Sequence, residues 1–189
     1  IAALRTGQIP IYEPGLDELV VRNVAAGRLS FATELNGAAA GADAVFIAVG
    51  TPSRPNDGHA DLTYVHDAAR DIARAVSGFT VVVTKSTVPV GTGDDVERII
   101  RETNAAADVA VASNPEFLRE GAAIPDFMQP DRIVIGANDS RADAVMAAIY
   151  KPLTDKGAPL MTMSRRTAEL TKYANNAFLA MKITFINEV

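Results

Sequence analysis

FTVVVTKST, residues Phe79 to Thr87, decides the architecture. It is a continuous β-branched run that ends in small polar residues. A strand apolar toward both sides has to be covered on both sides, the pattern of a parallel sheet clothed by helices. Three more runs repeat the theme: ADAVFIAVG (Ala42 to Gly50), DVAVASN (Asp108 to Asn114) and DRIVIGA (Asp131 to Ala137). Amphipathic stretches lie between them. DLTYVHDAARDIARAV (Asp61 to Val76) puts Val65, Ala69, Ile72 and Val76 on one stripe, with Asp61 as N-cap. GTGDDVERIIRET (Gly91 to Thr103) starts near Thr92 or Asp94 and turns Val96, Ile99 and Ile100 inward. DSRADAVMAAIY (Asp139 to Tyr150) follows the fourth run in the same way. An earlier helix, GLDELVVRNVAAGR (Gly15 to Arg28), has Gly27 near its C-terminal cap. Strand and helix alternation predicts an α/β fold with a doubly wound parallel sheet.

From Ser164 to Val189 the chain runs without Gly or Pro. A helix over that span is about 39 Å long at 1.5 Å per residue, more than a surface helix of a small domain needs. It reads as the start of a long connecting helix. The expected organisation is a main domain over 1–163 and this helix over 164–189. The one clear loop is TPSRPNDGHADL, Thr51 to Leu62.

Composition excludes several classes. The chain has 189 residues, 48% hydrophobic, enough for a sizeable core, and a net charge of −5 that argues against nucleic acid as partner. There is no cysteine, so no disulfide, thiolate metal site or thiol nucleophile within these residues. Two histidines, His59 in a polar loop and His66 on a helix, give little basis for a metal site, and none is expected. No apolar run reaches the ~18 residues of a membrane span. The chain opens on Ile1 rather than Met and is expected to be an internal piece of a longer protein.

The chemistry should gather where the strands end, because open parallel sheets bind ligands beyond their carboxyl ends. Three such ends carry small or polar residues: Gly50-Thr51-Pro52, Lys85-Ser86-Thr87 and Ser113-Asn114-Pro115-Glu116. Singly, each also suits an ordinary turn. Glu116 and Glu120, four apart, could share a helical face, and paired carboxylates do acid–base work when their surroundings separate their pKa values. On the long helix Lys172 and Asn176 are also four apart, and a cation beside an amide could stabilise a developing oxyanion. A solvated lysine is the commoner case. No G-x-G-x-x-G phosphate loop is present.

Taken together, PIYEPGLDELV, FIAVGTP, DLTYV, TKSTVPVGT, NPEFLREGAAIPDFMQPDRIVIG and AELTKYANNAFLAMKITFINEV resemble, in order and over essentially the whole chain, the nucleotide-sugar dehydrogenases of the UDP-glucose/GDP-mannose dehydrogenase family. REGAAIPDF and PDRIVIG are more similar to its UDP-glucose branch. The resemblance implies an incomplete Rossmann-like sheet followed by the start of the family's central helix. It implies NAD as cofactor, UDP-glucose as substrate, a homodimer formed through the central helix, and a cytoplasmic location. The implied reaction oxidises the sugar C6 alcohol to a carboxylate in two hydride transfers, through a thioester on a cysteine that water hydrolyses. Alternatives are a GDP-mannose or UDP-N-acetyl-hexosamine dehydrogenase, and a non-catalytic nucleotide-binding or assembly module.

By the same resemblance Thr87 helps hold the catalytic water, and Glu116 is the acid–base group beside it. Glu120 lies near the nicotinamide end of the cofactor. Phe117, Leu118 and Arg119 cradle the nucleotide sugar with their backbone. Lys172 and Asn176 stabilise the oxyanion at C6. Val49, Gly50 and Thr51 face the cofactor, with Ser86 in a comparable place. The family's opening strand, glycine-rich turn and second strand have no counterpart in these residues, nor has its cysteine. The 189 residues by themselves are expected not to turn over.

Overall fold

The computed structural model describes residues 1–5 and 8–189. In chain order the elements are α1 (Ala2–Arg5), α2 (Leu16–Ala25), α3 (Asn36–Ala39), β1 (Ala44–Ile47), α4 (Thr63–Ala75), β2 (Thr80–Thr84), α5 (Thr92–Thr103), β3 (Val109–Ser113), α6 (Ala123–Met128), β4 (Ile133–Ala137), α7 (Ser140–Thr154), β5 (Leu160–Met163) and α8 (Arg165–Glu188). The five strands form one sheet in the order β1-β2-β3-β4-β5.

The run Phe79 to Thr87 supplies β2, which pairs with a parallel neighbour on each side. All five residues of β2 are buried. Successive side chains of a strand point to opposite faces. Val82 therefore joins Ile47, Val65, Ala69, Ile72, Val96, Ile99 and Val111 beneath α4 and α5. Val81 and Val83 join Ala110, Ala112, Ile133, Ile135, Met146 and Tyr150 beneath α7. Each face buries its own core, which is why the run cannot alternate with polar residues.

One junction departs from the parallel expectation. β1, β2 and β3 are parallel, and so are β4 and β5, but β3 and β4 run antiparallel. A parallel crossover needs a connection that passes over one face of the sheet. The 114–132 segment contains only the six-residue α6 and stays at the carboxyl end of β3, so the chain re-enters the sheet in the opposite sense. Only Ala112↔Ala137 and Ser113↔Gly136 pair, and the rest of β4 projects past the end of β3. β5, too short and too exposed to show as an apolar run, was not expected.

The caps follow their sequence signals unevenly. Gly27, at φ 68°, follows α2 and donates its N–H to Val24 O at 3.0 Å. Asp61 Oδ1 accepts the Thr63 N–H at 3.0 Å, but from one residue before the N-cap position of α4, which is Leu62 and offers no side-chain cap. Ser164 caps α8, its hydroxyl accepting from Thr167 N. α5 has no side-chain cap of its own; Gly91, at φ 98°, precedes it.

α8 lands on the sheet over Gly136. A Cβ there would lie 2.5 Å from Ala168 Cβ, 2.8 Å from Arg165 Cα and 2.9 Å from Ser164 O. Two of these are backbone atoms that cannot swing aside. Gly136→Ala is therefore expected to cost about 2 kcal/mol, the range of overpacking, seen as a lowered urea midpoint with an unchanged m-value. An unchanged midpoint would mean that α8 is not seated this closely.

Candidate active site

Because β1, β2 and β3 are parallel, their carboxyl ends meet at one edge, and the three polar strand ends come together there. Ser86 Oγ donates to Val49 O at 2.6 Å, and Thr51 Oγ1 donates to Thr87 O at 2.8 Å. These bonds tie the first two strand ends into one surface. Gly50 sits on it with nothing within 4 Å of where a Cβ would stand. The backbone is thus open to a flat ligand on that side.

The third strand end carries the charge. Lys172, from α8, is only 7% exposed. Its Nζ donates to Glu116 O at 2.6 Å and to Glu116 Oε1 at 2.9 Å. Glu116 Oε2 accepts the Leu118 N–H at 2.8 Å. Burial pushes the Glu116 carboxyl up, but the Leu118 N–H, the Lys172 ammonium and the charge of Lys85 together hold it below the usual range. It stands as a carboxylate at neutral pH. That suits a base or a water-orienting group rather than an acid.

Glu116 and Glu120 do not share a helix. Residues 114–119 form no regular element, and Glu120 lies exposed in a turn outside the cleft. Pro115 sits in this stretch, and proline's missing N–H and fixed φ do not favour a helix interior. Phe117 lies half-buried under Arg132, whose guanidinium carbon is 4.4 Å from the ring centroid, while Leu118 and Arg119 reach solvent. Thr87 and Lys172 border one small gap, together with Ser113 and Glu169. Asn176 is exposed and makes no part of either cavity; the neighbouring Asn175 instead accepts from Arg132 Nη2 at 2.9 Å.

A cleft of about 510 Å³ opens beside this cluster, lined among others by Lys85, Asn114, Glu116, Phe117, Arg132 and Tyr150. Part of its lining joins Lys85 and Asn114, both from the polar strand ends, to Tyr150, a partner that sequence reasoning missed. Lys85 Nζ donates to Asn114 Oδ1 at 3.1 Å and to Tyr150 Oη at 3.4 Å. Tyr150 Oη donates to the same Asn114 Oδ1 at 2.5 Å, and Asn114 Nδ2 donates to Val134 O at 2.8 Å. Asn114 and Tyr150 are 36 residues apart, and no spacing rule links them. Glu13, from the N-terminal segment, was missed as well: its carboxylate accepts the Gly121 and Ala123 N–H groups and holds the start of α6.

Burial drives the Lys85 amine down to about 8, with the Glu116 charge pulling it up and Lys172 pushing it further down. A base whose folded pKa lies below its unfolded value of 10.5 destabilises the fold below about pH 8, and the penalty fades as pH rises from there. Lys85→Met is expected to raise stability near pH 7 by about 1 kcal/mol, scaled down for the partial exposure of the amine. The gain should shrink above about pH 8. Urea melts across that range check it; a loss of stability at neutral pH would show that the amine's hydrogen bonds outweigh its burial.

Residues 1–154 match the NAD binding domain of the UDP-glucose/GDP-mannose dehydrogenase family, and residues 166–189 match its central domain. The chain belongs to this family. It is 69% identical over 191 aligned residues to a UDP-glucose 6-dehydrogenase of Rhizobium meliloti (strain 1021), covering all of this chain and 44% of that protein. The fold is similar to a UDP-glucose dehydrogenase from Pyrobaculum islandicum, with TM-score 0.94 and 52% identity, over 100% of this chain and 44% of the other. It is also similar to a GDP-mannose dehydrogenase from Pseudomonas aeruginosa, with TM-score 0.93 and 38% identity, again over 100% and 44%. The chain thus spans less than half the length of these relatives. No helix among the described residues is long and apolar enough to cross a membrane.

Proposed function

We propose that the whole protein carrying this chain is an NAD-dependent dehydrogenase that oxidises UDP-glucose at C6 to UDP-glucuronate. The observation that carries the reading is the Lys172–Glu116 pair, cation and carboxylate at 2.9 Å, at the carboxyl edge of the sheet. The balance is one alcohol, two NAD⁺ and one water giving one carboxylate, two NADH and three protons. The nicotinamide, when bound, accepts the hydrides. Val49, Gly50, Thr51, Ser86 and Thr87 are assigned to face the cofactor, since hydrogen bonds join their strand ends into one surface on which Gly50 carries no side chain.

The chain's own residues then divide the work. Lys172 has three N–H donors and gives two to Glu116. The third is left for the C6 oxygen as it gains negative charge, with Asn176 one turn further along α8. Glu116 and Thr87 orient the water that hydrolyses the thioester. Glu120 lies toward the nicotinamide, and Phe117, Leu118 and Arg119 hold the nucleotide sugar by their backbone.

In this reading residues 1–163 are the outer part of the cofactor domain, and 164–189 begin the central helix. The far half of that helix presents Phe178, Met181, Ile183, Phe185 and Ile186, each more than half exposed. Such a surface supports a homodimer formed through it. Placement in the cytoplasm follows from the use of NAD and a nucleotide sugar.

A second reading, GDP-mannose as substrate, is favoured only by the likeness to the Pseudomonas enzyme. Steady-state assays of the whole protein on both sugars test the choice. A higher kcat/KM with UDP-glucose is expected, and a preference for GDP-mannose would overturn it.

A further inference from the structure

α5 begins without a cap from its own segment, yet its first two residues are buried: Thr92 is 2% exposed and Gly93 is buried too. Buried N–H groups at a helix start need an acceptor. They find it in α8. Glu169, 3% exposed, accepts the Gly91 N–H at 2.6 Å on one oxygen and the Gly93 N–H at 2.7 Å on the other. Ser113 Oγ donates to it at 3.4 Å, from the end of β3. One turn earlier, Arg165 pairs with Asp94 and, at 2.7 Å, with Glu97, both on α5. A Cβ on Gly93 would lie 2.5 Å from Arg165 Cδ, so the two helices meet as closely as a glycine allows.

Lys172 follows Glu169 by three residues and so lies on the same face of α8. The turn from Thr87 to Gly91 leads directly into the N–H groups that Glu169 holds. One carboxylate therefore ties the strand end carrying Thr87 to the helix carrying Lys172. We infer that Glu169 is a positioning residue: by capping α5 from α8, it sets Lys172 at hydrogen-bonding height against Glu116. Glu169 touches no reacting atom in this role. The inference rests on the proposed site, because it concerns the placing of that site's lysine.

The test is the titration of the Glu116 carboxyl, followed by carbon-13 NMR, in the wild type and in Glu169→Gln. The glutamine keeps the size and one acceptor but gives up the second oxygen and the charge. If Lys172 drifts away from Glu116, the Glu116 pKa moves up toward the ordinary carboxylate value. If Glu169 matters only as a nearby charge, removing that negative charge moves the Glu116 pKa down. The sign separates the two. We expect an upward move, together with faster hydrogen exchange at the Gly91 and Gly93 amides. An unchanged or lowered Glu116 pKa overturns the inference, whatever happens to stability.

Arg166→Ala serves as control. Arg166 also reaches Asp94, at 2.7 Å, but from the exposed side of α8, and its loss should leave the Glu116 titration where it was. If Glu169→Gln does not fold, Glu169→Asp, too short to span both N–H groups but still charged, takes its place: an upward move at Glu116 supports the inference, and an unchanged pKa, which a nearby charge alone would give, overturns it. A failure of the proposed function would look different: no NADH from the whole protein, with the upward move at Glu116 intact.

Discussion

Replacing Lys172 by alanine is expected to lower kcat of the whole protein by about 10²–10³, with NAD binding nearly unchanged. Oxidation at C6 builds negative charge on oxygen twice, first at the alkoxide and again in the tetrahedral species around the thioester. Lys172 is buried to 7% exposure and is fixed by two bonds to Glu116, so its charge is oriented before the reaction begins. A donor fixed in this way is worth about 2.7–4 kcal/mol to such a transition state, far more than a solvated one. Lys172→Arg should rescue poorly, because a planar fork does not fit where a compact ammonium meets one carbonyl and one carboxylate oxygen. If Lys172 were only a partner for Glu116, the alanine enzyme would keep a wild-type first hydride transfer and lose only hydrolysis, so an intact burst of NADH would remove the oxyanion role.

Glu116→Gln is expected to slow the hydrolytic half of the reaction by about 10², the lower end for a general base, while sparing the first hydride transfer. The carboxylate is held ionised by the Leu118 N–H and Lys172, and an amide reproduces the shape but accepts no proton. Rapid mixing should show a burst of NADH followed by slow turnover as thioester accumulates. A mutant that hydrolyses at the wild-type rate would remove Glu116 from that step and leave it as the anchor of Lys172.

The strands were legible wherever both faces are buried. β2 needs Val81 and Val83 on one side and Val82 on the other, and no polar residue interrupts it. β5 was not legible, because Met161 is 47% exposed and the run is short. The reversal at β4 was hidden for another reason: DRIVIGA reads the same in either direction, and its sense is set by a 114–132 connection that never crosses the sheet. At the site, Lys172 and Glu116 were visible one by one, but their contact spans 56 residues. Arg165, Ala168, Glu169 and Lys172 do form a stripe at helical spacing, so a buried charged face on α8 could have been read. What that face holds could not, since the N–H groups that Glu169 caps lie 76 and 78 residues away. Asn176 shows the opposite limit: the spacing from Lys172 is right, yet within this chain it faces solvent.

The most direct measurement is the ratio of NADH formed to UDP-glucose consumed by the whole protein, with the sugar product identified by mass. Two NADH per UDP-glucose, with UDP-glucuronate as the product, is the predicted result. One NADH per sugar with an aldehyde product, or no NADH at all, would contradict the account.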